Sequence, residues 1–194
     1  MTTIENIEVT VESGNPLAQV FVTVQASDGT TGQGEAWWGI PDRDVPGRSA
    51  LPIASTIENL ITPRLLGKKS GEIERHWFDL WDFGYRYADQ GIFLMGMSGV
   101  DIALWDLLAK QLGIPVVQLL GGQVHESIQT YASLPPLRDT DTVIAETQRA
   151  MEHGITAVKL HEVEAKYVHI LRDTFGDELE IMVDVNGHFN LQEA

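Results

Sequence analysis

The 194-residue chain contains no cysteine. That excludes disulfides, thiolate metal centres and thiol nucleophiles. Basic residues are scarce: 13 Lys and Arg stand against 28 Asp and Glu, for a formal charge of -15. A surface of that sign repels phosphate backbones and anionic headgroups, so neither nucleic acid nor a membrane is an expected partner. The opening residues "MTTIENIEVTVESG" have no basic start and no apolar core, so they do not read as a secretory signal. No apolar run reads as long enough to span a bilayer. A cytoplasmic protein is the resulting expectation.

What is present has the make-up of a globular chain, 43% hydrophobic and 21% charged. The first third alternates in the manner of antiparallel sheet. "IENIEVTVES" and "LAQVFVTVQA" are rich in β-branched residues, and Asp28-Gly29 marks a hairpin before "GQGEAWWG". Helical stretches follow: "SALPIASTIENLITPRLLG", "EIERHWFDLWDFGYRY" and "SGVDIALWDLLAKQLGIP". In the last, Ser98 suits an N-cap and Asp101 a first turn. Val100, Ala103, Leu104, Leu107, Leu108 and Leu112 form an apolar stripe, and Gly113-Ile114-Pro115 is a stop signal.

Beyond Gly122 the rhythm changes to short strands alternating with helices. "IQTYASL", "TAVKLHE" and "LEIMVDVN" read as strands. "DTDTVIAETQRAMEHG" and "AKYVHILRDTFG" read as the helices between them, closed by Gly154 and Gly176, and "NLQEA" as a new helix starting at Asn190. Such alternation implies parallel βαβ units. The expected domains are therefore an α+β domain over 1–122 and a parallel β/α region over 123–194.

In β/α architectures reactive groups gather where strands end. Side chains alternate faces along a strand, so Lys159 and His161 share one surface while Val158 and Leu160 point the other way. Asp184 and Asn186 share a face in the same manner, with Val183 and Val185 expected to turn toward the helices. A solvated lysine beside a chance histidine would explain the first pair alone. A carboxylate on a nearby strand makes a site that stabilises an anion the better account.

These segments, in this order, resemble the N-terminal portion of an enolase-superfamily enzyme of the mandelate racemase/muconate lactonizing type. "GQGEAWWG" resembles a strand of that family's capping domain, and "SGVDIALWDLLAKQLGIPVVQLLGG" the helix and loop joining cap to barrel. "YASL", "AVKLH" and "IMVDVN" fit the first three barrel strands. The resemblance implies a metal-dependent lyase or isomerase, a dehydratase or racemase of acid sugars. It would abstract the proton α to a carboxylate, with Mg²⁺ stabilising the enolate. Asp184 matches the first metal ligand. The family's second strand carries Lys-x-Lys, where the first lysine meets the substrate carboxylate and the second is the base. Here the motif is Lys159-Leu160-His161, so His161 stands where the base is expected, as base, carboxylate-binding donor or relic. Imidazole titrates near neutrality and needs little tuning for the task.

Ser133, Asn186 and Trp38 are the expected substrate-binding residues. Trp38 belongs to a cap loop, Trp37 to Arg48, that with Glu12 to Pro16 would close over the barrel, its two tryptophans either walling the substrate or packing within the cap; Arg43 or Arg48 would reach an anionic group. Of the remaining histidines, His188 alone lies near the expected rim. A whole barrel takes roughly 250 residues. Only three strands are expected here, and the other metal ligands would lie outside these residues. The alternative reading is thus a catalytically silent fragment that persists as a folded or self-associating module. An unclosed sheet edge also makes a homo-oligomer the expected state.

Overall fold

The computed structural model describes residues 2–13, 18–37, 48–86 and 91–193. They fall into two compact units, Met1–Val124 and His125–Ala194.

The first unit begins with an antiparallel sheet ordered β1 (Ile4–Ser13), β2 (Ala18–Ala26), β3 (Thr31–Ala36). The period-two pattern does what it promises. Val20, Val22, Val24 and Ala26 on β2 are fully buried while the residues between them are not. Asp28-Gly29 makes the β2–β3 turn. Gly29 adopts φ 82, and the Asp28 carboxylate accepts the Thr30 N–H at 2.9 Å. One long helical segment follows as α1 (Leu51–Thr56), a wide π turn over Ile57–Ile61, and α2 (Thr62–Leu65). Pro63 accounts for the widening. It has no N–H to give, and its ring would strike the Asn59 carbonyl in regular α geometry. The Thr62 N–H reaches back to Ile57 O instead. Next comes α3 (Ile73–Gly84).

Helix α4 (Ile92–Leu112) is the spine of this unit, and it begins about two turns before the expected start. Ser98 is no N-cap; it lies inside the helix, where its hydroxyl donates to Met95 O at 2.9 Å. Asp101 is likewise mid-helix. Burial holds its carboxyl above the usual carboxylate range, helped by Glu74 and opposed by a hydrogen bond from Trp105. The expected stripe is buried from Val100 through Leu107, but Leu112 is exposed. Gly113, at φ 68, ends the helix, and the Ile114 N–H bonds Ala109 O at 3.1 Å.

At 21 residues, α4 is long and apolar enough to cross a bilayer by length and composition, contrary to the expectation of no such segment. Asp101 and Asp106 hide the run in the sequence. Phe93, Met97, Val100, Leu104 and Leu107 bury the helix in the core formed with the sheet. A short α5 (Val116–Leu119) completes the unit.

The second unit holds a parallel sheet ordered β4 (Ala132–Ser133), β5 (Ala157–Leu160), β6 (Glu180–Val183). Helices α6 (Thr140–Glu152) and α7 (Lys166–Phe175) make the crossovers. Asp139 opens α6, its carboxylate accepting the Thr142 N–H at 2.9 Å. The core consists of Leu134, Val143, Val158, Leu160, Tyr167, Leu171 and Leu179. Val183, expected to face the helices, is 48% exposed. At Asn190 there is a single turn carrying a reciprocal cap. Asn190 Oδ1 accepts the Gln192 and Glu193 N–H groups at 2.9 and 3.2 Å, and Glu193 Oε2 accepts the Asn190 N–H at 3.0 Å.

Candidate active site

The parallel register sets the site. Ser133 pairs with Lys159, and Leu160 with Val183. Asp184 prolongs the β5–β6 ladder by donating its N–H to Leu160 O at 2.9 Å. Lys159 and His161 thus leave β5 on the same face, beside the carboxylate that follows β6. Val158 and Leu160, pointing the other way, are buried to 0% and 1% exposure, as alternation requires.

Three side chains converge there. Lys159 Nζ donates to Asp184 Oδ2 at 3.3 Å, and His161 Nε2 lies 3.8 Å from the same oxygen. The ring of Tyr131 stands 5.6 Å from the ammonium. Asp184 Oδ1 accepts the Asn186 N–H at 3.0 Å, a short loop that puts Asn186 at φ 49. That backbone bond, then Lys159, hold the Asp184 carboxyl below the usual carboxylate range. In turn Asp184, with a smaller contribution from Tyr131, holds the Lys159 ammonium above the usual lysine range. Lys159 is therefore a cation at neutral pH, suited to holding an anion rather than removing a proton.

His161 is differently placed. Its Nδ1 donates to Leu134 O at 2.6 Å. A carbonyl oxygen only accepts, so the neutral ring carries its hydrogen on Nδ1 and keeps a lone pair on Nε2. That lone pair is on the Asp184 side.

A cleft of about 280 Å³ opens beside His161, lined also by Arg138, Glu162, Lys166 and His188. His188 thus shares a cavity with His161. Ser133 is exposed on β4 next to Lys159. Trp38, Arg43 and most of the two cap loops lie outside the described residues; Trp37, at the edge of one, is 46% exposed.

Two contributors were not foreseen. The Leu134 carbonyl is a backbone atom and leaves no mark in a sequence. Glu162, 5% exposed, does leave one: it follows His161 directly, so alternation turns it to the buried side.

As to a metal, no group of three potential ligands occurs among the described residues. Mg²⁺ is held through one or two carboxylates together with waters and substrate oxygens in near-octahedral geometry. Asp184, paired with Lys159 on this face, fits one such position, and the described residues do not by themselves complete the set.

The family model described as mandelate racemase / muconate lactonizing enzyme, N-terminal domain, matches residues 2–121. The chain is similar to the arabinonate dehydratase of Saccharolobus solfataricus, 27% identical over 190 residues that cover 93% of this chain and 48% of that protein. It is 29% identical to the D-galactonate dehydratase of Verminephrobacter eiseniae over 196 residues, covering 92% and 48%. The crystal structure of the 3,6-anhydro-D-galactonate cycloisomerase from Zobellia galactanivorans matches with a TM-score of 0.85 at 30% identity, over 98% of this chain and 53% of that one. The chain spans about half the length of these relatives. They are acid-sugar dehydratases and a cycloisomerase. The fold of this chain is the expected one, an α+β capping domain followed by the opening strands of a β/α barrel. On the match over residues 2–121, the chain belongs to the mandelate racemase/muconate lactonizing enzyme family of the enolase superfamily.

Proposed function

We propose that this chain carries the carboxylate-holding and proton-transferring part of an enzyme that abstracts the proton α to the carboxylate of an acid sugar, leading to dehydration or racemisation. The observation that carries the reading is the meeting of Lys159, His161 and Asp184 at the ends of adjacent parallel strands. The Lys159 ammonium binds one carboxylate oxygen of the substrate and keeps its charge as the enolate forms, which lowers the barrier electrostatically. His161 Nε2 accepts the α-proton, and the resulting imidazolium is stabilised by Asp184 close by. Ser133 and Asn186, on the flanking strand ends, contribute polar contacts to the bound acid.

Mg²⁺, where bound, supplies positive charge to the enolate oxygens. Asp184 would be one of its ligands in a site completed by other carboxylates. The described residues hold only part of that set, so the 194 residues alone should bind acid sugars without turning them over.

The direct test is titration of this chain with D-galactonate or D-arabinonate, following the Lys159 ammonium and His161 ring signals by NMR. Both should shift on binding, and Lys159→Ala should abolish the shifts. Absence of any response to a broad acid-sugar panel would overturn the reading. In a catalytically complete form, His161→Asn should lower kcat by about 10²–10⁴-fold with little change in KM. It should also stop exchange of the α-proton with D₂O; continued exchange removes His161 from the base role.

A further inference from the structure

The chain after β4 is tied to the end of β5 at three points. The Leu134 N–H donates to Lys159 O at 2.9 Å, and His161 Nδ1 donates to Leu134 O at 2.6 Å. Four residues on, the Arg138 N–H donates to Glu162 Oε1 at 2.8 Å. Two consecutive residues of one strand end, His161 and Glu162, therefore grip the same neighbouring segment from its two ends.

Glu162 is an unusual residue to find in that place. It is 5% exposed, and no Lys, Arg or His lies within ion-pair distance of it among the described residues. A buried carboxylate persists only when hydrogen-bond donors compensate its lost hydration. The donor here belongs to Arg138, which sits at φ 58. A non-glycine residue keeps that backbone conformation only when its surroundings over-determine it. Carboxylate and strained backbone thus hold each other.

We infer that Glu162 is a positioning residue for His161: by holding the Arg138 N–H it fixes segment 134–138, and so keeps the Leu134 carbonyl where it commits the imidazole to the Nδ1–H tautomer. The purpose of that commitment, a free Nε2, rests on the reading of His161 as the base. The tautomer itself is open to measurement independently of any turnover.

The experiment records long-range ¹H–¹⁵N correlations of the histidine rings in the 194-residue chain. The pH is about 8.5, well above the ordinary imidazole range, and His161 is assigned by the signal lost in His161→Asn. The unsubstituted chain should show one tautomer, with protonated Nδ1 and unprotonated Nε2. Glu162→Ala should convert this to a mixture. Glu162→Gln should restore the single form, since its amide oxygen still accepts the Arg138 N–H. Where Glu162→Ala does not fold, Glu162→Asp draws the carboxylate back from Arg138 and should give the same mixture. A purely structural role would lower thermal stability and leave the tautomer untouched, and that result overturns the inference. So does an Nε2–H ring in the unsubstituted chain. Both leave the carboxylate-binding role of Lys159 standing, whereas α-proton exchange that survives His161→Asn defeats the base assignment and leaves the positioning by Glu162 intact.

Discussion

At the scale of single residues, the pair Lys159–Asp184 is a clasp between β5 and β6 whose pH limits follow from its chemistry. Asp184 titrates below the ordinary carboxylate range, chiefly through the Asn186 N–H and then Lys159. Its contribution to stability is thus present above the unfolded value of about 3.9 and lost as pH falls through the lower, folded value. Lys159 titrates above the ordinary lysine range, chiefly through Asp184. Its contribution is complete below about 10.4 and lost as pH rises through the higher, folded value. Thermal melts should show a gap between the unsubstituted chain and Asp184→Asn that is flat from about pH 5 to 9 and closes on acidification below about pH 4. A gap that widened in acid would mean that Lys159 is not what Asp184 serves. The same clasp bears on function. A substrate carboxylate competes with Asp184 for the ammonium, so Asp184→Asn should free Lys159 and tighten metal-free binding of acid sugars.

At the scale of elements, the stretch "GQGEA" shows how much a short motif can determine. Its alternate residues Gly32, Gly34 and Ala36 face α4, and the helix backbone lies directly on them. A Cβ at Gly32 would fall 2.1 Å from Ala103 O, and one at Gly34 would fall 2.1 Å from Gly99 O. Neither backbone oxygen can move without lifting the helix off the sheet. Gly34→Ala should therefore destabilise the first unit by about 1–3 kcal/mol, at the upper end of that range, through overpacking. Gln33→Ala, which removes a side chain from the opposite face, should cost far less. Chemical denaturation monitored at the tryptophans reads both; equal costs would refute direct helix-on-sheet packing as the reason for the glycines.

The elements also show why the sequence was readable in some places and opaque in others. Strands β1 to β3 and the α4 terminus at Gly113 were legible because local chemistry decides them: alternation and a positive-φ glycine. The start of α4 was not, because Gly91 opens it without a side-chain cap while Ser98 resembles one. The π turn before Pro63 is a compromise between a missing donor and a buried Ile57 and Ile61, which periodicity does not register. At the site, the common face of Lys159, His161 and Asp184 followed from strand parity. The tautomer of His161 did not, because its partner is a main-chain carbonyl 27 positions away.

At the scale of the whole molecule, the parallel sheet of the second unit sets the behaviour of the 194 residues in solution. β6 pairs with β5 on one side, and no strand among the described residues pairs with the other. At the opposite edge β4 has only two residues, so β6 is the longer free edge. Val183 at its end is 48% exposed, and nearby in sequence Phe189 and Leu191 are 42% and 97% exposed. An open edge with apolar residues is a template for strand addition from a second chain. The formal charge of -15 works against that, since every encounter brings two acidic surfaces together. Salt decides the balance, because at 0.15 M the Debye length is only about 8 Å and long-range repulsion fades. Sedimentation velocity should show association that grows with both protein concentration and ionic strength. Val183→Lys, which puts a charge on the free edge, should shift the chain toward monomer. A chain that sediments as a monomer at every salt concentration would show that the edge is not a pairing site. An association weakened by salt would point instead to attraction between charged groups as its cause.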